Sequence, residues 1–403
     1  MKTIELNLIY TLLVSIAVFF VGRALINRVS VLKRFSIPAP VVGGGVVAVV
    51  LALVDGFLHT KFSFNMSLKD SLLLMFFTTV GLGADVRMLM KGGPKLVIFL
   101  LISMVLIVVQ NAIGMVGSWI MDLHPIMGLL GGSITLVGGH GTGAAYASRF
   151  GETMNLQGAM ELTMACATGG LVVGAVLGGP LAEYLLKRHK LSGPSPHVAE
   201  EVKEVPAGGM EDSVTSQSLL ATLFILFLCL AGGKFLVYLM EGTGFILPDF
   251  VFCLLLGVVI RNLSSLTKVF KMSSTTVDIV GNVALSLFLV MALMTMKLLD
   301  LVNLAGPLFV ILAAQTAAMA LYAVLVTFRI MGRSYDAAII AAGQVGFGMS
   351  STPCALAIMK AVTERYGPSP IAFLIVPMVG AFFIDITNAL IIQGYLALPF
   401  FGF

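Results

Sequence analysis

The sequence predicts an all-α polytopic membrane protein built as an inverted-topology repeat, each half holding five transmembrane helices and one re-entrant hairpin. Three observations lead there: a composition suited to lipid, apolar runs of spanning length, and landmarks that recur in order. Of 403 residues, 58% are hydrophobic and 11% charged, and mean hydropathy is +1.03. A soluble domain keeps roughly 25% charged residues, so the lipid bilayer is the chain's first partner. The net charge of +4 carries no nucleic-acid signature, and no nucleic acid is expected to bind. Cys166, Cys229, Cys253 and Cys354 lie in apolar runs without a CxxC pair. That argues against a disulfide framework or metal site and predicts small buried side chains.

Apolar runs of about 20 residues, enough to cross a bilayer, fall at 6–25, 38–58, 71–90, 96–120 and 157–186. A second set falls at 219–240, 248–260, 275–296, 304–328 and 370–398. Two further apolar segments, 126–153 and 336–362, are interrupted by glycine and proline and read as hairpins that enter and leave by one face. The N-terminal run has one lysine before it, no small-residue cleavage pattern and its basic residues after it. It reads as a first span, not a removable leader.

Placing the N-terminus outside puts Arg23, Arg28, Lys33, Arg34, Arg87, Lys91 and Lys95 on the inner face. The same face receives Lys187, Arg188, Lys190, Lys203, Arg261, Lys268, Lys271, Arg329, Arg333, Lys360 and Arg365. Only Lys2, Lys61, Lys69, Arg149, Lys234 and Lys297 stay outside. Positive-inside bias of this kind sets orientation. It also favours the hairpins: a full crossing at 126–153 would move "LLKRHK" (185–190) outside and invert every later loop. Both termini then lie outside, and the polar, Gly-, Pro- and Ser-rich segment 188–216 is a cytoplasmic linker.

That linker separates an N-terminal repeat, 1–187, from a C-terminal repeat, 217–403. "VGRALI" (21–26) matches "GGKFLV" (232–237), and "IPAPVV" (37–42) matches "LPDFVF" (247–252). "KGGPKLVIFL" (91–100) matches "LAGPLFVILA" (304–313), and "GHG" (139–141) matches "GFG" (346–348). The separation is roughly 210 residues each time. An odd number of spans per half makes the second copy enter from the opposite side, an arrangement found in many secondary transporters. Arg23 and Lys234 fall near helix C-termini, where a cation suits the dipole and snorkels to the interface.

Non-helical backbone at membrane depth must be buried in protein or line a wet cavity. Leaving Gly138–Gly143 unwound is therefore costly unless the freed amides and carbonyls bind something. The second limb of each hairpin begins at its break and brings free N–H groups and a partial positive charge, and glycines let an anion approach closely. The first tip offers Gly139, His140, Gly141, Thr142 and Gly143. The second offers Gly346, Phe347, Gly348, Ser350, Ser351 and Thr352, with Pro353 suited to a helix's first turn. Inverted symmetry brings these tips together as a site for a small dianionic or dicarboxylate solute. The plainer alternative, glycines that serve only close helix packing, suits "GGLVVGAVLGG" (169–179) better than the polar tips. His140 has two readings, contact with solute or a bond to backbone.

Asp385 and Asn388, three residues apart on one face of "AFFIDITNALII", form with Thr387 a hard-oxygen set for Na⁺. The tip backbone at Gly138 and Val345 adds carbonyls. A carboxylate in mid-membrane costs about 2.5–3.5 kcal/mol on insertion scales, so Asp385 calls for a function. Its rival readings are protonation, contact with a substrate ammonium, and a hydrogen-bonded helix contact. Gln110, Asn111 and Gln315 fall in mid-span and either pair across helices or line the site. Asp85 with Arg87 reads as an interfacial pair, and Glu161 as solvent-facing.

"GGSITLVGGHGTGAA" (131–145), "AAGQVGFGMSSTP" (341–353), "VPMVGAFFIDITNALII" (376–392), "VQNAIG" (109–114) and "IPAPVVGG" (37–44) closely resemble the bacterial sodium/glutamate symporters, from the first span to the last. The resemblance implies uptake of L-glutamate coupled to Na⁺ across the inner membrane, with no organic cofactor and no enzymatic step. It also implies a homodimer in which a mobile domain slides against a scaffold, the elevator scheme. The family's hairpin glycines map onto Gly138, Gly139, Gly141, Gly143, Gly346 and Gly348. The chain departs where the family's Gly-Leu-Gly-Ala-Thr-Pro becomes Gly348, Met349, Ser350, Ser351, Thr352 and Pro353, adding hydroxyls that bear on glutamate against other dicarboxylates. Alternative functions are a proton-coupled carboxylate carrier, a channel built on re-entrant loops, and an intramembrane enzyme using Asp85 and Asp385, which their separate placement disfavours.

Overall fold

In the computed structural model, residues 2–35, 37–85, 93–193, 214–240, 249–267, 273–296, 298–349 and 351–398 are described. The first half runs β1 (Lys2–Leu6), α1 (Leu8–Arg28), α2 (Ser30–Arg34), α3 (Ala39–Leu58), β2 (Thr60–Phe64), α4 (Lys69–Gly83), α5 (Gly93–Ile120), α6 (Pro125–Leu130), α7 (Ser133–Leu136), α8 (Gly139–Met154) and α9 (Ala159–Arg188). The second runs α10 (Ser216–Met240), α11 (Asp249–Thr267), α12 (Ser274–Met294), α13 (Leu298–Tyr322), α14 (Phe328–Ile330), α15 (Tyr335–Gly348), α16 (Thr352–Tyr366), α17 (Pro370–Met378) and α18 (Ile384–Leu396). A π-helical turn, Ala323–Thr327, joins α13 to α14, and another, Val379–Phe383, joins α17 to α18.

Among the described residues, eight helices are long and apolar enough to cross a membrane, and the bent pair Pro370–Ala381 with Ile384–Leu396 makes a ninth if counted as one span. The run at 71–90 appears as α4, and 86–92 lie outside the described residues. The protein is thus a helical, multi-pass membrane protein. One feature was not expected: β1 and β2 form a two-stranded parallel sheet, registered from Lys2 opposite Thr60 to Leu6 opposite Phe64.

The chain folds as two compact units, each built across both halves of the sequence. One gathers α1, α3, α4 and α10–α12 with the small sheet. Its helices meet at small residues, which let backbones approach without help from a hydrophobic drive. A Cβ on Gly22 would collide with the Ala39 carbonyl, and one on Gly43 with the Val18 carbonyl, which fixes α1 against α3. Gly257 of α11 lies similarly against the Thr78 carbonyl of α4, at 2.7 Å from the position of its absent Cβ.

The other unit holds α5–α9 and α13–α18. Its core runs through Leu96, Phe99, Leu106, Leu136, Phe347 and Met349, with the Phe99 and Phe347 rings edge to face at 5.9 Å. α6 returns along the end of α5: a Cβ on Gly128 would meet Gly114, and one on Gly132 would lie 2.8 Å from Asn111 Oδ1. α15 and α16 lie side by side, and their open ends are tied by Tyr335 Oη donating to Gly367 O and Ser369 Oγ donating to Asp336 Oδ1 at 2.6 Å. All four cysteines are free and buried.

Two local expectations are corrected. Gly139–Gly143 is not unwound: the break narrows to Val137–Gly138, and α8 starts at Gly139, because helical pairing removes the cost of bare backbone. Glu161 is not solvent-facing but 6% exposed, since Ala159 and Leu162 around it are buried as well. The expected pair of Asp85 with Arg87 involves a residue outside the described ones; Asp85 Oδ2 also lies 3.8 Å from Arg261 Nη2.

Candidate functional site

Both helix breaks converge on one glycine of α9. A Cβ on Gly170 would collide with the Met349 carbonyl and lie 2.7 Å from Leu136 Cδ2, so the second break and the residue before the first break share this contact. α7 also lies beside α15. The stripe predicted to serve packing does so: Gly169 faces Leu312, Gly174 faces Met349 and Gly178 faces Ile358.

The first tip turns on Gly139, whose φ of +65° lies in the left-handed region that only glycine adopts without strain. α8 then carries His140, Gly141, Thr142 and Gly143 in its opening turns, all buried. His140 Nε2 lies 3.1 Å from Thr168 Oγ1, a side-chain partner where backbone was the alternative. Gly143 packs against Thr163 and Thr135.

The second tip is arranged differently. Gly346, Phe347 and Gly348 form the last turn of α15, before the break, whereas the similar triplet at 139–141 follows its break. The two triplets are alike in sequence and unlike in position. Beyond the break, α16 starts at Thr352 with Pro353 in its first turn. Ser351 donates its N–H to Gly346 O at 3.2 Å, and Ser350 lies outside the described residues. The Val345 carbonyl already accepts the Met349 N–H at 3.1 Å.

Neither second limb has a side-chain cap: none is made by Gly138 to α8 or by Ser351 to α16. Asn7, Ser273 and Ser334 cap α1, α12 and α15 with side-chain oxygens, whereas α3, α4, α9 and α17 also start without one. First-turn N–H groups have no helical partner, so the uncapped starts at both breaks leave positive dipole ends.

A polar seam ties the tips to the flanking helices. Gln110 Nε2 donates to Gly348 O at 2.7 Å, and Gln315 Nε2 donates to Gln110 O at 2.7 Å. Asn111 Oδ1 accepts from Ser133 N at 3.0 Å and lies 2.8 Å from Ser133 Oγ. Asn388 reaches the same serine, with Oδ1 2.7 Å from Ser133 Oγ and Nδ2 donating to Ser133 O at 3.1 Å. Gln110, Asn111 and Gln315 therefore take the first of the roles the sequence left open, pairing across helices.

α17 and α18 pass both tips. A Cβ on Gly380 would lie 3.0 Å from Thr352 Oγ1 and 3.3 Å from Phe347 Cδ1, while Asn388 meets Ser133 at the first tip. Asp385 lies between those two contacts in the chain, partly exposed. Thr387 Oγ1 donates to Phe383 O within its own helix at 2.8 Å.

Sequence reasoning missed Ser133, Gln344, Ser103 and Thr327. Gln344 Oε1 accepts from Thr327 Oγ1 and its Nε2 donates to Ser103 Oγ at 3.3 Å, joining α15 to the π turn and to α5. Each is a lone polar residue in an apolar run, which was the only available signal.

The family model described as sodium/glutamate symporter matches residues 4–368. The chain is 47% identical over 402 residues to the sodium/glutamate symporter of Escherichia coli (strain K12), covering 99% of each chain. It is 46% identical over 391 residues to the sodium/glutamate symporter of Haemophilus influenzae (strain ATCC 51907 / DSM 11121 / KW20 / Rd), covering 95% of each.

Proposed function

The chain belongs to the sodium/glutamate symporter family, and we propose that it takes up L-glutamate together with Na⁺ across a bacterial inner membrane. It is a transporter, not an enzyme. The observation that carries this reading is the pair of uncapped helix starts, Gly139 and Thr352, on limbs whose breaks share Gly170. Two positive helix ends with free donors suit a solute bearing two carboxylates. Gly139, His140, Gly141, Thr142 and Gly143 line one side, and Gly346, Phe347, Gly348, Ser351 and Thr352 the other.

Na⁺ binds beside Asn388 and Asp385, screening the carboxylate field before glutamate docks. The hairpins enter from opposite faces, as halves of an inverted repeat. The side-by-side limbs α15 and α16 support a hairpin in the second half. The unit that holds both tips carries the solute, and the unit of α1, α3, α4 and α10–α12 is the scaffold of a homodimer. The division of the chain into these compact units supports an elevator motion.

Uptake of labelled glutamate into liposomes tests the reading, driven by a Na⁺ gradient at equal pH on both sides. Accumulation there, with trans-stimulated exchange, is expected; its absence removes the Na⁺ coupling, and flux without exchange points to a channel.

A further inference from the structure

We propose that α18 clamps the two limbs of the first hairpin together, and that Gln393 with Tyr146 is the positioning pair that orients the opening turns of α8 for glutamate. The inference rests on the transport reading above and deepens it, naming residues that act on the tip rather than on the solute.

The ground is how α18 is bonded. Within about two turns of helix it reaches three different elements. Asn388 Nδ2 donates to Ser133 O at 3.1 Å, on the limb before the break. Gln393 Nε2 donates to Tyr146 Oη at 3.1 Å, on the limb after it. Tyr395 Oη donates to Val108 O of α5 at 2.8 Å, which anchors the clamp itself.

The limbs need such a hold. α7 is a single turn, and the break at Val137–Gly138, followed by the left-handed Gly139, removes the helical continuity that would fix α8 against α7. From α9, Thr168 meets His140 and Thr163 meets Gly143. Tyr146 lies about two turns beyond Gly139, on the same side of α8 as Gly139 and Thr142. A bond at its hydroxyl therefore fixes the tilt of the side that opens at the tip. Tyr146 is fully buried, and a buried phenol takes a polar partner.

The second hairpin is crossed in a matching way by α9, with Gly174 against Met349 and Gly178 against Ile358. Close packing makes that crossing. Hydrogen bonds at separate points make the one over the first hairpin, so a single substitution can release one limb and leave the other held.

The test uses the full-length protein in liposomes, with uptake of labelled glutamate driven by a Na⁺ gradient. Tyr146→Phe removes only the hydroxyl, and Gln393→Met keeps the length of the side chain without its amide. Each is expected to raise KM for glutamate about tenfold with the maximal rate within about twofold of wild type, the mark of lost binding. The double variant is expected to match either single one, since both remove the same bond. Gly394→Ala, next in the chain with open space around it, should keep the wild-type KM. A wild-type KM in folded Gln393→Met overturns the pair, even where the unfolding midpoint falls, and so do effects that multiply in the double variant. Should Gln393→Met fail to fold, a wild-type KM in Tyr146→Phe overturns it equally. Hydrogen exchange across 139–146 reads the clamp without transport: faster exchange in Tyr146→Phe than in wild type is expected, and equal exchange overturns the clamp. Absence of Na⁺-driven uptake in wild type, with that difference in exchange present, would instead defeat the transport reading and leave the clamp standing.

Discussion

Gly346 runs so close to Ala355 that a Cβ on Gly346 would collide with the Ala355 backbone. That contact sets the spacing of α15 and α16 at the second tip. Backbone cannot yield as a side-chain end can, so Gly346→Ala should spread the limbs at an overpacking cost of about 1–3 kcal/mol. Loss of glutamate uptake with the protein still inserted, plus a lower unfolding midpoint, is the expected result. Gly179→Ala, where nothing lies within 4 Å of the added methyl, should be nearly neutral in both assays.

Gly139 tests the first tip by another route. Its φ of +65° costs a residue with a Cβ roughly 1–2 kcal/mol, and the cost falls on the N–H groups that open α8. Gly139→Ala should raise the KM for glutamate more than it lowers the unfolding midpoint. Gly151→Ala, later in the same helix and with open space around it, should leave KM unchanged. Equal effects from both would mean that the turn at Gly139 has no part in binding.

What the sequence made legible was local. Spans showed because each is one uninterrupted apolar run, and the breaks showed because glycine and proline interrupt such runs. The small sheet did not show, since β1 pairs with residues from Thr60 onward and short extended segments carry little pattern of their own. Ser133 was passed over for the same reason: its meaning lies in Asn388, 255 residues away. The likeness of 139–141 to 346–348 also misled, because residue type cannot say on which side of a break a glycine falls. Distance in the chain, not weakness of the interaction, hid these features.

Gln110 holds the second tip from α5, its Nε2 on Gly348 O. Replacing it by methionine keeps the volume and strands that carbonyl, at a cost of about 1–3 kcal/mol for an unmet buried group. Gln110→Met should therefore reduce kcat/KM for glutamate by roughly tenfold or more, each tenfold being 1.4 kcal/mol. Gln315→Met removes the donor to Gln110 O and should produce a smaller loss of the same kind. Full activity in Gln110→Met would show that the position of Gly348 does not govern transport.

Asp385 separates charge from ligation. It stands between Gly380, which meets the second tip, and Asn388, which meets the first. No hydrogen bond or ion pair to it is found among the described residues, so its charge is available to the solute path. Asp385→Asn preserves shape and removes the charge. If the carboxylate balances the coupling ion, the Na⁺ concentration for half-maximal uptake should rise at least about tenfold, while protonation equilibria elsewhere stay as they were. Uptake measured against Na⁺ at several fixed pH values resolves the rival role. A carboxylate that serves as a proton carrier would leave Na⁺ affinity unchanged in the variant and flatten the pH profile instead. Raised Na⁺ demand with the pH profile retained assigns Asp385 to the ion, and unchanged Na⁺ affinity removes it from the ion's surroundings.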